Sequence, residues 1–466
     1  MANYFSEMVK SIKEFVQIPS VESDPLPGKP FGENVAQALK YVLDLASSMG
    51  FQTVNYDNYA GEVIWGEGEK TLGILCHVDV VPAGKLSSWE HPPFSAYSDD
   101  EKIYGRGTLD DKAPGIVCLY ALKTLKDEGF VPSQKIKLIF GCDEESGWLC
   151  MKHYKEVAEM PDYGFSPDGD FPVIYAEKGI LHLKFAYKIN SFLSIIKGGE
   201  RPNMVCDECY ALAPLQGYSD NFKMVLGDGS KATFKLPVNK HFARQYGLDV
   251  HTDGSVSAKG KSAHGSTPEK GENAILPVLK YLEAVGAISP EIRTVFFEDA
   301  LGLTRLHDET GYLTMCPGMI DKSVYEHVMN LVVDIRYPAT FKGSEILEYF
   351  NKAGLKYTVL EHQEPLFVDK KNPLVQTLLS IYNEYTDKNA EPIAIGGGTY
   401  ARALPLGVAF GPEEVDEDTP VHEPNEFVSF DCIRKMYGIY TNAIRKLTED
   451  QLLKVKQKYA EKIKIF

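Results

Sequence analysis

Apolar residues recur at helical spacing in the opening stretch, MANYFSEMVKSIKEFVQIPS, and again from about 36 to 49 in AQALKYVLDLASSM. Both patterns predict amphipathic helices. A short strand, GEVIWGEG, follows, and then the continuous apolar run from Thr71 to Cys76, which reads as a strand buried on both faces. Residues 115–128 return to helical period, and Lys135 to Phe140 alternate as a strand. Helices alternating with strands predict an α/β unit on a largely parallel sheet. His77 and the run Asp143 to Glu145 each follow a predicted strand closely. In such sheets the functional groups gather at the carboxyl ends of strands.

From about 180 to 366 the texture changes. Strand-like runs (Ile180 to Tyr187, Ala232 to Leu236, Leu331 to Arg336) alternate with turns rich in Gly, Asp and Lys, and helical stretches such as Glu272 to Val285 intervene. This pattern predicts a separate α+β unit. After 370 the earlier alternation resumes, with Leu374 to Tyr385 helical and Glu391 to Ile395 extended. The expected organisation is therefore one α/β domain from 1–178 and 367–466, with an α+β domain, 179–366, inserted into it.

At 466 residues the chain is too long for one ordinary core, which agrees with more than one folding unit. Its formal net charge of -16 would repel phosphate backbones, so nucleic acid is not expected as a partner. No apolar run is long enough to span a bilayer, and the N-terminal stretch lacks the uninterrupted apolar segment of a signal peptide. Eight cysteines are scattered, several within apolar runs, as expected of reduced, buried thiols. Cys206 and Cys209 form a lone C-x-x-C with no second pair at zinc-finger spacing, so a structural reading is preferred. A cytoplasmic protein is expected.

Five clusters can carry chemistry: His77-Val78-Asp79, Asp110-Asp111, Glu144-Glu145, Asp168 and His422. Each alone has an ordinary explanation, namely a core histidine, a helix cap, a solvated charge pair, a turn residue and an exposed loop histidine. Taken together, imidazole and carboxylate without cysteine suit zinc, manganese or cobalt. Mixed ligands with one shared carboxylate are what two metals about 4 Å apart require. Asp79, two residues beyond His77 on an extended chain, faces the same side and suits a carboxylate that orients the imidazole.

The chain resembles, nearly end to end, the two-metal peptidases and deacylases that include carboxypeptidase G, aminoacylase and succinyl-diaminopimelate desuccinylase, and within them the PepV-type dipeptidases. The resemblance is carried by GILCHVDVVPAG, YGRGTLDDK, GCDEESGW, FSPDGDFPVIYAEKG, RPNM, GKSAHGSTPEKGENA, DIRYP, IGGGTYAR and the loop around VHEPNE. It implies that His77 and Asp168 hold one metal, Glu145 and His422 the other, and that Asp110 bridges both. It also implies a zinc-peptidase-like mixed sheet flanked by helices in the α/β domain, and a cis peptide between Asp110 and Asp111. Glu144 is then the general base, which later passes its proton to the leaving amine.

The middle region resembles the family's lid. There His264 is expected to donate to the oxyanion, and Arg336 to pair with a substrate carboxylate unless Asp334 already occupies it. Asn203 is expected as a further contact, and Gly397, Gly398 and Thr399 as a loop that lets a ligand approach the backbone. Ala113 stands where the family commonly has glycine, without supplying a ligand. The resemblance implies a monomeric dipeptidase with two divalent ions, zinc first, acting on small peptides with a free carboxylate. The alternatives are an N-acyl-amino-acid deacylase or desuccinylase, and a non-catalytic binding protein on the same fold.

Overall fold

The structure is a computed structural model that describes residues 4–189, 193–213, 220–225, 231–236, 240–322, 327–414 and 419–449. The chain divides into two compact units. One comprises Met1–Tyr175, Val368–Ile393 and Thr399–Phe466; the other comprises Ala176–Phe367 and Ala394–Gly398.

The first unit is built on a mixed sheet flanked by helices. Its strands run in the order Gln52–Tyr56, Ala60–Trp65, Lys135–Gly141, Thr71–His77, Tyr163–Ser166 and Gly407–Ala409. Every residue of Thr71–His77 is buried, as a continuous apolar run between two parallel neighbours requires. The sheet is mixed, as the family resemblance implies: its middle strands are parallel and the first two pairings are antiparallel. Gln52–Tyr56 and Ala60–Trp65 form an antiparallel hairpin. Its turn places Asp57 and Asn58 at φ 53° and 58°. Two successive left-handed residues give the tight turn whose twist matches paired antiparallel strands, so the chain reverses at once instead of crossing over through a helix.

The three central strands point the same way, and their carboxyl ends lie side by side. His77 closes one, Gly141 lies opposite it and leads into Asp143–Glu145, and Ser166 leads into Asp168. The Ser166 hydroxyl donates to the carbonyl of Leu75 at 2.6 Å and ties two of these ends together. Helix Ala113–Asp127 starts directly after Asp110-Asp111-Lys112 and packs against Phe430–Thr448. Lys112 is fully buried, and its ammonium donates to the carbonyls of Ile18 at 2.7 Å and Phe15 at 3.2 Å.

The second unit is α+β, as the sequence pattern predicts. Eight antiparallel strands run in the order Asp249–Val250, Val256–Lys259, Glu208–Leu212, Ile195–Gly198, Thr314–Lys322, Val328–Tyr337, Gly179–Lys188 and Tyr357–Gln363. Side chains alternate across a strand. Leu331, Val333, Ile335 and Tyr337, with Leu181, Leu183 and Phe185, share a core with helices Ile275–Ala284, Glu291–Phe296 and Gly343–Lys352. The alternate residues Asp334 and Arg336, with His182 directly across from Asp334, therefore occupy the opposite face.

Gly73 and Gly164 face each other across the parallel pair. A Cβ added at Gly164 would lie 2.0 Å from the Gly73 carbonyl oxygen, which is backbone and cannot swing aside. Gly164→Ala is expected to destabilise the protein by about 1–3 kcal/mol, measured as a fall in the denaturant midpoint. A midpoint equal to that of the parent would show that the strands separate without cost.

Candidate metal centre

Eight of the residues singled out from sequence lie in the first unit. Seven of them, His77, Asp79, Asp110, Glu144, Glu145, Asp168 and His422, converge on the carboxyl edge of its sheet. Asp110 is at their centre. Its Oδ1 lies 2.8 Å from His77 Nε2, and its Oδ2 lies 2.8 Å from His422 Nε2. One carboxylate thus addresses two imidazoles, one through each oxygen. His422 Nε2 also lies 3.1 Å from Glu145 Oε2, and His77 Nε2 lies 3.9 Å from Asp168 Oδ2. Two overlapping sets, His77 with Glu144 and Asp168, and His77 with Asp110 and Glu145, each bring their ligand atoms within 4.8 Å of one another.

The local chain explains these positions. His77 is fully buried at the end of its strand, and Nδ1 is held 2.9 Å from the backbone carbonyl of Asp79. The Asp79 carboxylate is farther from the ring, 3.6 Å, and its Oδ2 accepts the Glu145 backbone N–H at 3.0 Å. Asp79 therefore sets the glutamate loop as well as facing the imidazole. Asp143 accepts backbone N–H groups from Gly147 and Leu149 and closes the turn that presents Glu144 and Glu145. The Asp110–Asp111 peptide is cis. Asp111 turns inward, where its Oδ2 accepts the His77 backbone N–H at 3.2 Å. Tyr400, also fully buried, sets its ring edge-on to His77.

The electrostatics are those of an acidic nest with too little positive charge. Burial, then Asp110, pushes the Asp168 carboxyl up to about 8. Burial likewise raises Glu144 well above the carboxylate range, with Asp168, Glu145 and Asp110 adding to it, and raises Glu145. Burial opposes charge on the His422 imidazole, but Asp110 and Glu145 overcome it and hold the ring protonated up to about 11. Asp110 is the exception among the acids. Burial works against its ionised form, yet the hydrogen bonds from His422 and His77 keep it well below its ordinary value. Protonated imidazoles here do what cations would do better, since each could then present a neutral nitrogen to a metal. The donor set fits two hard-to-borderline divalent ions sharing Asp110.

Thr399 is in the same unit, capping the turn Tyr400–Ala403 with its hydroxyl, which accepts the Ala401 N–H at 3.3 Å. The remaining candidates lie in the second unit and come together there. Met204 and His264 form a β-bridge, and the Gly265 N–H donates to the Asn203 carbonyl at 2.7 Å. A Cβ at Gly265 would meet Asp334 Oδ2 at 2.2 Å, so glycine is required where this loop crosses the Asp334 carboxylate. Asp334 grips Arg336 through Nε, at 2.8 and 3.1 Å. Behind it stand His182, 3.3 Å from Asp334, and Glu361, 2.7 Å from the other His182 nitrogen. His264 Nδ1 lies 2.7 Å from the Ser266 hydroxyl oxygen and 3.2 Å from the Ser266 backbone nitrogen, so Ser266 engages that side of the ring. Gly396–Gly398 lie in this unit too, and a Cβ at Gly397 would meet only Ile395, at 3.8 Å. Packing therefore does not demand glycine at Gly397.

Sequence reasoning missed His182 and Glu361, whose roles depend on cross-strand register, and Arg106 and Glu426, which are paired at 2.6 Å across 320 residues of sequence. Cys206 and Cys209 are buried and unpaired.

The sequence profile of peptidase family M20/M25/M40 matches residues 73–446. "Putative dipeptidase YtjP" of Bacillus subtilis is 34% identical over 472 residues, covering 95% of this chain and 97% of that protein. A "Putative dipeptidase" of Staphylococcus epidermidis is equally similar, 34% over 472 residues, with the same shares covered. Among solved structures, an M20 family metallo-carboxypeptidase of Sulfolobus solfataricus shares the fold at a TM-score of 0.57 and 16% identity, covering 94% of this chain and 98% of that one. The di-peptidase Dug1p of Saccharomyces cerevisiae does so at 0.55 and 15%, covering 95% and 96%. The chain belongs to peptidase family M20/M25/M40. It is a metallopeptidase, and the enzymes of this family use divalent metal ions.

Burial opposes charge on His182, but Asp334 and Glu361 raise it to about 9, against 6.5 in the unfolded chain. A raised value contributes stability that is complete below about 6.5 and lost as pH climbs through 9. His182→Gln is therefore expected to destabilise the protein more at pH 6 than at pH 9.5 in urea denaturation. An equal loss at both pH values would contradict this.

Proposed function

We propose that the protein is a dipeptidase, hydrolysing the amide bond of small peptides that end in a free carboxylate. The single observation that carries this reading is Asp110 reaching a different imidazole with each of its two oxygens, beside Glu145, Asp168 and the raised carboxyl of Glu144. His77 and Asp168 would hold one divalent ion, Glu145 and His422 the other, and Asp110 both. Such a pair supplies a Lewis acid for the scissile carbonyl and acidifies water toward a pKa of about 7.

The rest is done by side chains. Glu144, whose carboxyl burial and its acidic neighbours push upward, is proposed to take a proton and return it to the leaving amine. His264, whose Nδ1 is engaged by Ser266, is proposed to present Nε2–H to the oxyanion. Asp334 already takes Nε of Arg336, so the terminal nitrogens are the ones proposed to pair with the substrate carboxylate. Asn203, and the segment Gly397, Gly398 and Thr399, are proposed as further substrate contacts. The names of the two relatives, each described as a dipeptidase, support the substrate class.

Zinc is the proposed ion, with manganese and cobalt as alternatives that the same ligands accept. The eight cysteines form no disulfide, which suits a reducing compartment, and cytoplasmic residence is proposed. No helix among the described residues is long and apolar enough to cross a membrane. A monomer is proposed, on the strength of the long insert seen in sequence.

Glu144→Ala is expected to lower kcat on a dipeptide by about 10²–10⁴-fold while two cations still bind. Activity equal to the parent's would remove Glu144 from the mechanism. Assayed on a panel of dipeptides beside N-acetyl and N-succinyl amino acids, the metal-loaded enzyme should turn over the dipeptides. Cleavage of the acylated substrates alone would instead make it a deacylase.

A further inference from the structure

Glu426 lies four residues beyond His422 and is 1% exposed. Its two oxygens accept from four donors, all on the segment that leads into Asp110. Oε2 takes the Arg106 guanidinium at 2.6 Å and the Gly107 N–H at 3.0 Å; Oε1 takes the Leu109 N–H at 3.0 Å and the Asp110 N–H at 3.4 Å. The main chain is fastened alongside. The Gly105 N–H donates to the Glu426 carbonyl at 2.8 Å, and Phe427 pairs with Tyr104 between short strands. Asn425 reaches the other way, accepting the Glu90 N–H at 2.8 Å.

We infer that Glu426 is a positioning residue for metal binding: it locks the Asp110 segment to the His422 loop so that both side chains can address one cation. The inference rests on the reading of Asp110 and His422 as ligands. The two come from distant parts of the chain, and His422 stands at φ 62° on a half-exposed loop. The pairing of Phe427–Ser429 with Lys102–Tyr104 fastens the two segments but stops short of both side chains. Glu426 carries the link on to the ligand, because its carboxylate holds the backbone N–H of Asp110 itself. All four acceptor positions are filled by protein donors, so Glu426 is not proposed as a ligand. A carboxylate is needed because every group it faces is a donor. Glutamine would turn an NH2 toward either the Arg106 and Gly107 pair or the Leu109 and Asp110 pair.

The test is isothermal titration of zinc into metal-stripped protein, with the metal-free thermal midpoint measured in parallel. The parent should take up two ions per chain, and Asp110→Asn should lose tight binding. Glu426→Gln should weaken at least one ion about 10–100-fold, the usual effect of removing a partner behind a ligand, in protein that is still folded. Parental affinity in folded Glu426→Gln, with Asp110→Asn impaired, would overturn the inference alone. Failure of the parent to bind two ions, or of Asp110→Asn to change binding, would overturn the ligand reading beneath it. Should Glu426→Gln not fold, Glu426→Asp is read in the same way, since the shorter acid keeps the charge but cannot span all four donors. If neither variant folds, the residue is structural and the inference falls.

Discussion

Negative charge packed faster than water can screen it is the constraint on which this molecule turns. Asp110, Asp111, Glu144, Glu145 and Asp168 all gather at one edge of a sheet, with two imidazoles between them. Burying carboxylates without partners is expensive, and the protein's own answer is incomplete. Burial pushes the Asp168, Glu144 and Glu145 carboxyls upward, while Asp110 and Glu145 hold the His422 imidazole charged well above its ordinary range. Two divalent ions would remove both distortions at once, freeing the acids to ionise and the imidazoles to act as neutral ligands. Carboxylates that accept backbone N–H groups, Asp79 from Glu145 and Asp143 from Gly147 and Leu149, hold this nest in place against its own repulsion.

The second unit solves a different problem with a simpler device. Period-two alternation sends the apolar residues of Val328–Tyr337 into the helix-covered core and leaves Asp334 and Arg336 on the other face. Register then places His182 opposite Asp334 and Glu361 beyond it, so alternating charges back up the Arg336 guanidinium. The Gly265 loop passes over this row closely enough that no side chain fits, and it carries His264, whose Nδ1 is engaged by Ser266.

Much of this was legible in the sequence, for identifiable reasons. The fully apolar run Thr71–Cys76 could only be a strand covered on both sides, and a polar residue ending such a strand is conspicuous. His77 was found that way, and Asp143 to Glu145 by following the alternating strand from Lys135 to Phe140, whereas Asp168 stood out only within the family motif FSPDGDFPVIYAEKG. The hairpin at Asp57-Asn58 was not, because its first strand, Gln52–Tyr56, is only partly buried and shows little apolar alternation. The helix expected from Glu272 begins at Ile275, since Glu272 is taken by a two-way backbone pair with Lys261 and Asn273 accepts the first helical N–H. Glu426 stood inside a motif already noticed, VHEPNE, yet nothing local marked it. Its partners are more than 300 residues away, and only the folded chain shows that an acid next to a strand is the hub of four donors. Likewise, pattern could pair Arg336 with Asp334 but could not place His182 behind them.

The most direct test is anomalous diffraction at the zinc edge from crystals of the metal-loaded protein. The account predicts two peaks about 4 Å apart, with Asp110 contacting both, His77 and Asp168 on one, and Glu145 and His422 on the other. A single peak, or two peaks that do not share Asp110, would contradict it.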